Sequence, residues 1–271
     1  MPSCLRSTLA VLAGLTCLAP VAALAQGGPD ASGYIWNTTT YDFVVLDPNN
    51  GGSGTAVGSP TSEDEETNLT LPFAFPWYGA SYNDIRVGDT GGITFTSSGD
   101  IFNGNDDLPD LGTGSVDIAV FWDGLDPGPV FSLDDTANGR FIVSWEGVGH
   151  DFASGDASFQ VHFFPDGTLS YHYADTDFGN SSYDSGASAT IGIQDFTGGT
   201  AVSGNNFLEV SYNTASVTDG VTAYLFETCA DGDVDGFFDV ACGGDDCNDA
   251  DAAINPAAAE TCNDTIDQDC D

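Results

Sequence analysis

The sequence has no lysine and only three arginines, Arg6, Arg86 and Arg140, set against 42 aspartates and glutamates. A net charge of −39 repels nucleic acid and anionic membranes and attracts cations, so neither is an expected partner. Histidine occurs three times and the single methionine is residue 1, which leaves few imidazole or thioether donors for a soft metal. Cysteine is absent from 18 to 228, so that stretch must fold without disulfides. After residue 24 no apolar run reaches spanning length, and no membrane span is expected once the leader is removed. Also missing are HExxH, a nucleophile elbow and a phosphate-cradling glycine loop, so the chain is expected not to be an enzyme. His150-Asp151 with a distant serine makes a triad only on paper. Carboxylate pairs carry no information in a chain this rich in aspartate.

The first 25 residues have the form of a secretion signal. Arg6 precedes an apolar stretch over 8–24, and Ala23-Leu24-Ala25 gives a small-x-small cleavage pattern before Gln26. A secreted or cell-surface protein in an oxidising compartment is therefore expected. Charge repulsion on this scale calls for high salt, bound divalent ions or both.

Composition changes near Thr228, which divides the chain into a signal peptide (1–25), a β-sandwich domain (26–227) and an Asp/Cys-rich metal-binding module (228–271). The middle region carries short β-favouring runs between turn residues and no sustained helical stripe. Strands are expected at 41–46, 68–75, 84–87, 92–96, 117–122, 140–147, 158–164, 168–174, 189–195, 207–212 and 222–226. That spacing predicts an all-β fold, a sandwich or jelly-roll-like domain followed by a small disulfide-rich calcium-binding loop module. Phe164-Pro165-Asp166-Gly167-Thr168 suits a three-residue hairpin loop, with Gly167 at positive φ. Phe163 then faces Leu169, Val161 faces Tyr171 and Phe159 faces Tyr173, all on the core face. His162 and His172 fall on the other face as diagonal neighbours roughly 6–8 Å apart, read as a solvated polar surface rather than a transition-metal site.

Leu71-Pro72-Phe73-Ala74-Phe75-Pro76-Trp77-Tyr78-Gly79 is followed by Ile85-Arg86-Val87, Gly92-Ile93-Thr94-Phe95, Ile118 through Asp123 and Phe141 through Trp145. This order, over about 34–226, resembles the nidogen-like β domains of secreted and matrix proteins and similar bacterial extracellular modules. The resemblance implies adhesion or scaffolding, with a cell-surface or matrix protein or a glycan as partner, and no catalysis.

The C-terminal region opens with Asp231-Gly-Asp-Val-Asp-Gly236. Alternate aspartates aim carboxylates at one centre, and Gly236 permits the sharp turn that follows. Asp231, Asp233 and Asp235 supply hard oxygens, with the Phe237 carbonyl and the Asp239 carboxylate at the next two positions. Cys242 stands where an EF-hand has glutamate, so Asp245 or Asp246 must close the site. A second, weaker frame comprises Asp249, Asp251 and Glu260; a third begins at Asp267 and Asp269.

Asp246-Cys247-Asn248-Asp249, Ile254-Asn255-Pro256, Glu260 through Asp264 and Ile266 through Asp271 resemble the MopE-type metal-binding motif of secreted bacterial proteins. Its aspartate loops are similar to thrombospondin type 3 calcium repeats. This copy has Thr265 where the motif commonly has glycine. The family name brings in copper, but carboxylate and carbonyl oxygens without histidine or methionine favour calcium. Cys262–Cys270 and one link among Cys229, Cys242 and Cys247 are candidate disulfides; the fifth thiol points to a chain continuation or an intermolecular bridge. The leading expectation is a secreted calcium-binding adhesion or scaffold protein. The alternatives are an extracellular copper or transition-metal scavenger and an accessory module of a secreted hydrolase.

Overall fold

A computed structural model describes residues 26–58, 65–96, 100–110, 116–196, 205–261 and 265–271. The expected signal peptide and Cys262 lie outside the described residues. Within them the protein is all-β, without α-helix, and is built from two antiparallel sheets.

One sheet has eight strands: β1 (Gln26–Gly27), β2 (Tyr34–Thr38), β3 (Thr55–Ala56), β8 (Val130–Asp135), β9 (Arg140–Val148), β10 (Ala157–Phe163), β11 (Leu169–Asp175) and β14 (Ala223–Thr228). Their order is β1-β2-β14-β11-β10-β9-β8-β3. The other has six: β4 (Glu66–Trp77), β5 (Ala80–Gly88), β6 (Gly92–Thr94), β7 (Ile118–Trp122), β12 (Thr190–Gln194) and β13 (Phe207–Tyr212), in the order β13-β12-β7-β6-β5-β4.

The core lies between the sheets because alternation points one face of each strand inward. Phe159, Val161 and Phe163 of β10 and Leu169, Tyr171 and Tyr173 of β11 are fully buried there. Aromatic rings interlock across the gap, with Phe75–Phe163 and Phe121–Phe159 centroids both 5.2 Å apart. The polar tips of these rings reach backbone carbonyls of the opposite sheet. Tyr171 Oη donates to Gly192 O (3.0 Å), Tyr173 Oη to Val120 O (2.8 Å) and Trp145 Nε1 to Gly88 O (3.0 Å). Each bond satisfies a donor that burial would otherwise leave exposed to the full desolvation cost.

The β10–β11 hairpin has the expected register: Phe163↔Leu169, Val161↔Tyr171 and Phe159↔Tyr173. Gly167 takes φ 92° at its turn. Two expectations need correction. The 41–46 run is not a strand, and the polar face carrying His162 and His172 is not solvated.

Both corrections have one cause. After Thr39, whose N–H still donates to Ala223 O (3.0 Å), residues 40–47 cross the outer face of the eight-stranded sheet, and side chains of that sheet, not a backbone ladder, hold them. Asp42 N–H donates to His172 Nδ1 (3.1 Å), and Leu46 N–H to Glu146 Oε1 (2.7 Å). Between them the Gln160 amide accepts from Val44 N–H and donates to Val44 O, both at 2.9 Å, as a neighbouring peptide unit would. The backbone N–H groups of alternate residues 42, 44 and 46 thus meet the sheet, as they would in a paired strand. Beneath it Gln160, His162 and His172 are at most 2 % exposed.

Candidate metal centre

Beyond Thr228 the chain returns to the sandwich through one backbone bond, Cys229 N–H to Gly33 O (2.7 Å). Little apolar surface is available here, so covalent and polar contacts shape the segment. Disulfides join Cys229 to Cys242 and Cys247 to Cys270. The first is the expected link among the three upstream cysteines. The second corrects the Cys262–Cys270 pairing. Asn255 N–H donates to Gln268 O (3.0 Å) and Gln268 N–H to Glu260 Oε2 (3.0 Å), folding the last residues back toward Cys247. That return leaves the two Cα atoms 5.7 Å apart, within bridging reach.

The 231–236 loop is organised by its first aspartate. Asp231 Oδ1 accepts from Val234 N–H (2.7 Å) and Asp235 N–H (3.2 Å), and Oδ2 accepts from Gly236 N–H (2.9 Å). Gly236 sits at φ 96°, a conformation that a Cβ would strain. Asp235 is held by Phe237 N–H (2.9 Å) and the Asn255 amide (2.7 Å). Asp249, seventeen residues downstream of Gly232, accepts its N–H at 2.8 Å.

These contacts gather carboxylates into two overlapping triads, Asp231/Asp233/Asp249 and Asp233/Asp235/Asp246, and a separate one, Glu260/Asp267/Asp269. In each, one oxygen per residue lies within 4.8 Å of the others. Asp233 belongs to both of the first two. Its two oxygens are enclosed and make no hydrogen bond, nor do Oδ2 of the fully buried Asp246 and Oδ1 of Asp269. A buried carboxylate oxygen without a donor is costly unless a cation satisfies it. Desolvation pushes the Asp233 carboxyl above its usual range, and the charges of Asp235, Asp246 and Asp231 push the same way. The donor set is all carboxylate, with no imidazole or thioether, and fits a hard divalent cation.

The remaining predicted positions are placed differently. Asp239 spends Oδ1 capping the short 3₁₀ turn Val240–Cys242 through Ala241 N–H (2.8 Å). Asp251 is exposed and accepts from Ala253 N–H (3.2 Å). Neither joins a triad, and Phe237 offers only its carbonyl. The expected 249–260 frame is split, because Asp249 joins the first loop while Glu260 joins Asp267 and Asp269.

The histidines are committed elsewhere. His162 Nδ1 faces Arg140 Nη1 (3.2 Å), which only donates, so Nε2 carries the proton toward Gln160 Oε1 (2.7 Å). His172 Nδ1 accepts from Asp42 N–H, leaving Nε2–H for Ser170 Oγ (2.9 Å). Burial lowers their pKa values to about 2 and about 4. Their rings lie 4.3 Å apart, but both lone pairs are already used. His150 lies 3.5 Å from Asp123, yet the Ser188 hydroxyl donates to that carboxylate (2.6 Å), and Asp151 binds the Asn103 amide (3.0 Å). This is not a serine–histidine nucleophile pair.

Residues 33–237 match the family model described as NIDO related, and residues 246–271 match the metal-binding motif of the Cu-binding MopE type. The first match covers most of the chain, which belongs to the NIDO-related family. No curated protein and no solved structure matches it. Neither matched family is enzymatic, and among the described residues no helix is long and apolar enough to cross a membrane.

Proposed function

We propose that this is a secreted calcium-binding adhesion or scaffold protein. In this reading residues 26–227 form the recognition domain, and residues 228–271 form a calcium-stabilised module at the cell surface or outside it. The carrying observation is Asp233: its two enclosed oxygens have no donor, and four further carboxylates surround them. Calcium takes six to eight hard oxygens, which suits the five carboxylates of the joined triads better than any soft-ligand geometry. The four disulfide-bonded cysteines offer no thiolate to copper, and the imidazoles have no free lone pair. The family membership and the disulfides support an extracellular setting.

Elemental analysis of protein purified without chelator, together with melting in EDTA, tests the proposal. Bound calcium and a chelator-induced drop in the melting temperature of the module are expected. Absence of both overturns it. Copper binding tighter than calcium, and persisting after substitution of His162 and His172, would support the scavenger alternative.

A further inference from the structure

The loops at one end of the sandwich form an open groove of about 420 Å³, and none of its lining residues belongs to a carboxylate triad. Three features of its lining act together. Phe152 stands 72 % exposed at the rim, and its ring runs nearly parallel to Tyr183 (6.3 Å, 29°). Tyr183 in turn packs on His150 at 4.2 Å, tilted by 38°, which backs the platform with a buried ring. Exposing an aromatic face this far is unfavourable in a domain whose core rings are fully buried, and Phe152 is more exposed than Phe102, at 47 % the other exposed ring among the described residues.

The rest of the lining is largely polar. Asp123 and Asp151 bring carboxylates, and Asn105 and Asn213 bring amides. Asn105 Nδ2 donates to Asn213 Oδ1 (2.9 Å) and Thr190 Oγ1 (3.0 Å), so Asn105 keeps its carbonyl acceptor and Asn213 its amino donors. The His150 Nε2 atom is enclosed and makes no hydrogen bond within the protein. No lysine or arginine lines the groove.

From this geometry we infer a binding site for a neutral saccharide unit of a glycan. A pyranose offers an apolar C–H face to pack on Phe152 and Tyr183, and hydroxyls that both donate and accept. Carboxylates and amides are the partners such hydroxyls need, and O–H to carboxylate bonds are the stronger kind. Anionic sugars are excluded by the lining and by the net charge of −39. A concave site built from loops on a rigid sandwich matches where ligands are generally held. The site is independent of the calcium module.

The test is calorimetric titration of the full mature protein with linear neutral hexasaccharides of glucose, mannose, galactose and xylose, in calcium and again in EDTA. At least one should bind equally in both. Phe152→Ala should weaken that binding by about tenfold or more without changing the melting temperature, because the side chain is mostly exposed. Phe152→Trp should retain it. Failure of all four sugars to bind overturns the inference, as does equal binding by Phe152→Ala. Displacement of the sugar by tetramethylammonium assigns the platform to cations and also overturns it. Loss of binding in EDTA alone moves the sugar to the carboxylate cluster, which overturns this site while leaving the calcium proposal standing.

Discussion

At the scale of single residues, Asp233 and Thr265 carry opposite kinds of strain. Asp233 holds a carboxylate among like charges, a cost that ends when a cation arrives. Asp233→Asn should therefore stabilise the metal-free module and weaken calcium binding by roughly tenfold or more, read by urea melts in EDTA and by calcium titration. A variant that shifted both in the same direction would contradict the shared-ligand role. Thr265 sits at φ 71°, in the left-handed region where a β-branched side chain is disfavoured. Thr265→Gly should raise module stability by about 1 kcal/mol, measured by chelator-matched denaturation.

At the scale of elements, the strap over 40–47 exchanges a backbone ladder for buried side chains. Gln160→Ala would remove both bonds to Val44 and strip His162 of its acceptor. A loss of about 2–4 kcal/mol is expected in urea unfolding, mostly from polar groups left buried and unpaired. The same strap makes the sheet acid-sensitive. Burial lowers His162 and His172 from the ordinary 6.5 to about 2 and about 4 in the folded protein; the His172 and Arg140 charges add to the lowering at His162, whereas the Asp42 carboxylate opposes it at His172. The unfolded chain thus binds more protons below about pH 6.5, so stability is full above that value and falls on acidification. Asp117 works in the opposite sense. Burial pushes it up to about 6, so its contribution is lost as pH rises from the ordinary carboxylate range through 6. His172→Gln should remove about 1.4 kcal/mol per pH unit of acid sensitivity between pH 4 and 6.5, seen as a flatter dependence of the urea midpoint.

These elements also show what the sequence made legible. The β10–β11 register followed from the turn and from alternation, since a slip of one residue would have turned three apolar pairs outward. Periodicity reports which residues face a surface, not what pairs with their backbone, and so the strap passed for a strand. It also hid the cover over the histidines, because polar side chains bonded to a crossing segment look the same in sequence as solvated ones. Strands β2 and β8 were missed because their short runs sit beside turn residues and polar neighbours. In the metal module the carboxylate inventory was legible, but its grouping was not. Asp249 reaches the first loop through Gly232, a contact that no local frame predicts. The groove at Phe152 was invisible for the same reason, being assembled from distant loops.

At the scale of the whole molecule, a charge of −39 with two arginines in the described chain makes compactness depend on its surroundings. Raising sodium chloride to about 1 M, where screening acts over about 3 Å, should raise the melting temperature of the sandwich. Millimolar calcium should act chiefly on the module, and calorimetry would separate the two transitions. Opening Cys247–Cys270 by paired serine substitution should cost the module about 3 kcal/mol while leaving the sandwich transition in place.

The disulfides also decide how this protein would carry force. Tension entering at Asp271 and leaving through β14 would cross from Cys270 to Cys247, follow the backbone only as far as Cys242, and cross again to Cys229. The stretches 230–241 and 248–269 lie outside that covalent path. Seven of the eight triad carboxylates lie on those stretches, and Asp246 alone stands on the taut segment. Pulling would thus bear on the cluster at one ligand while the others keep their places, so the grip of the ion would register load without being the link that bears it.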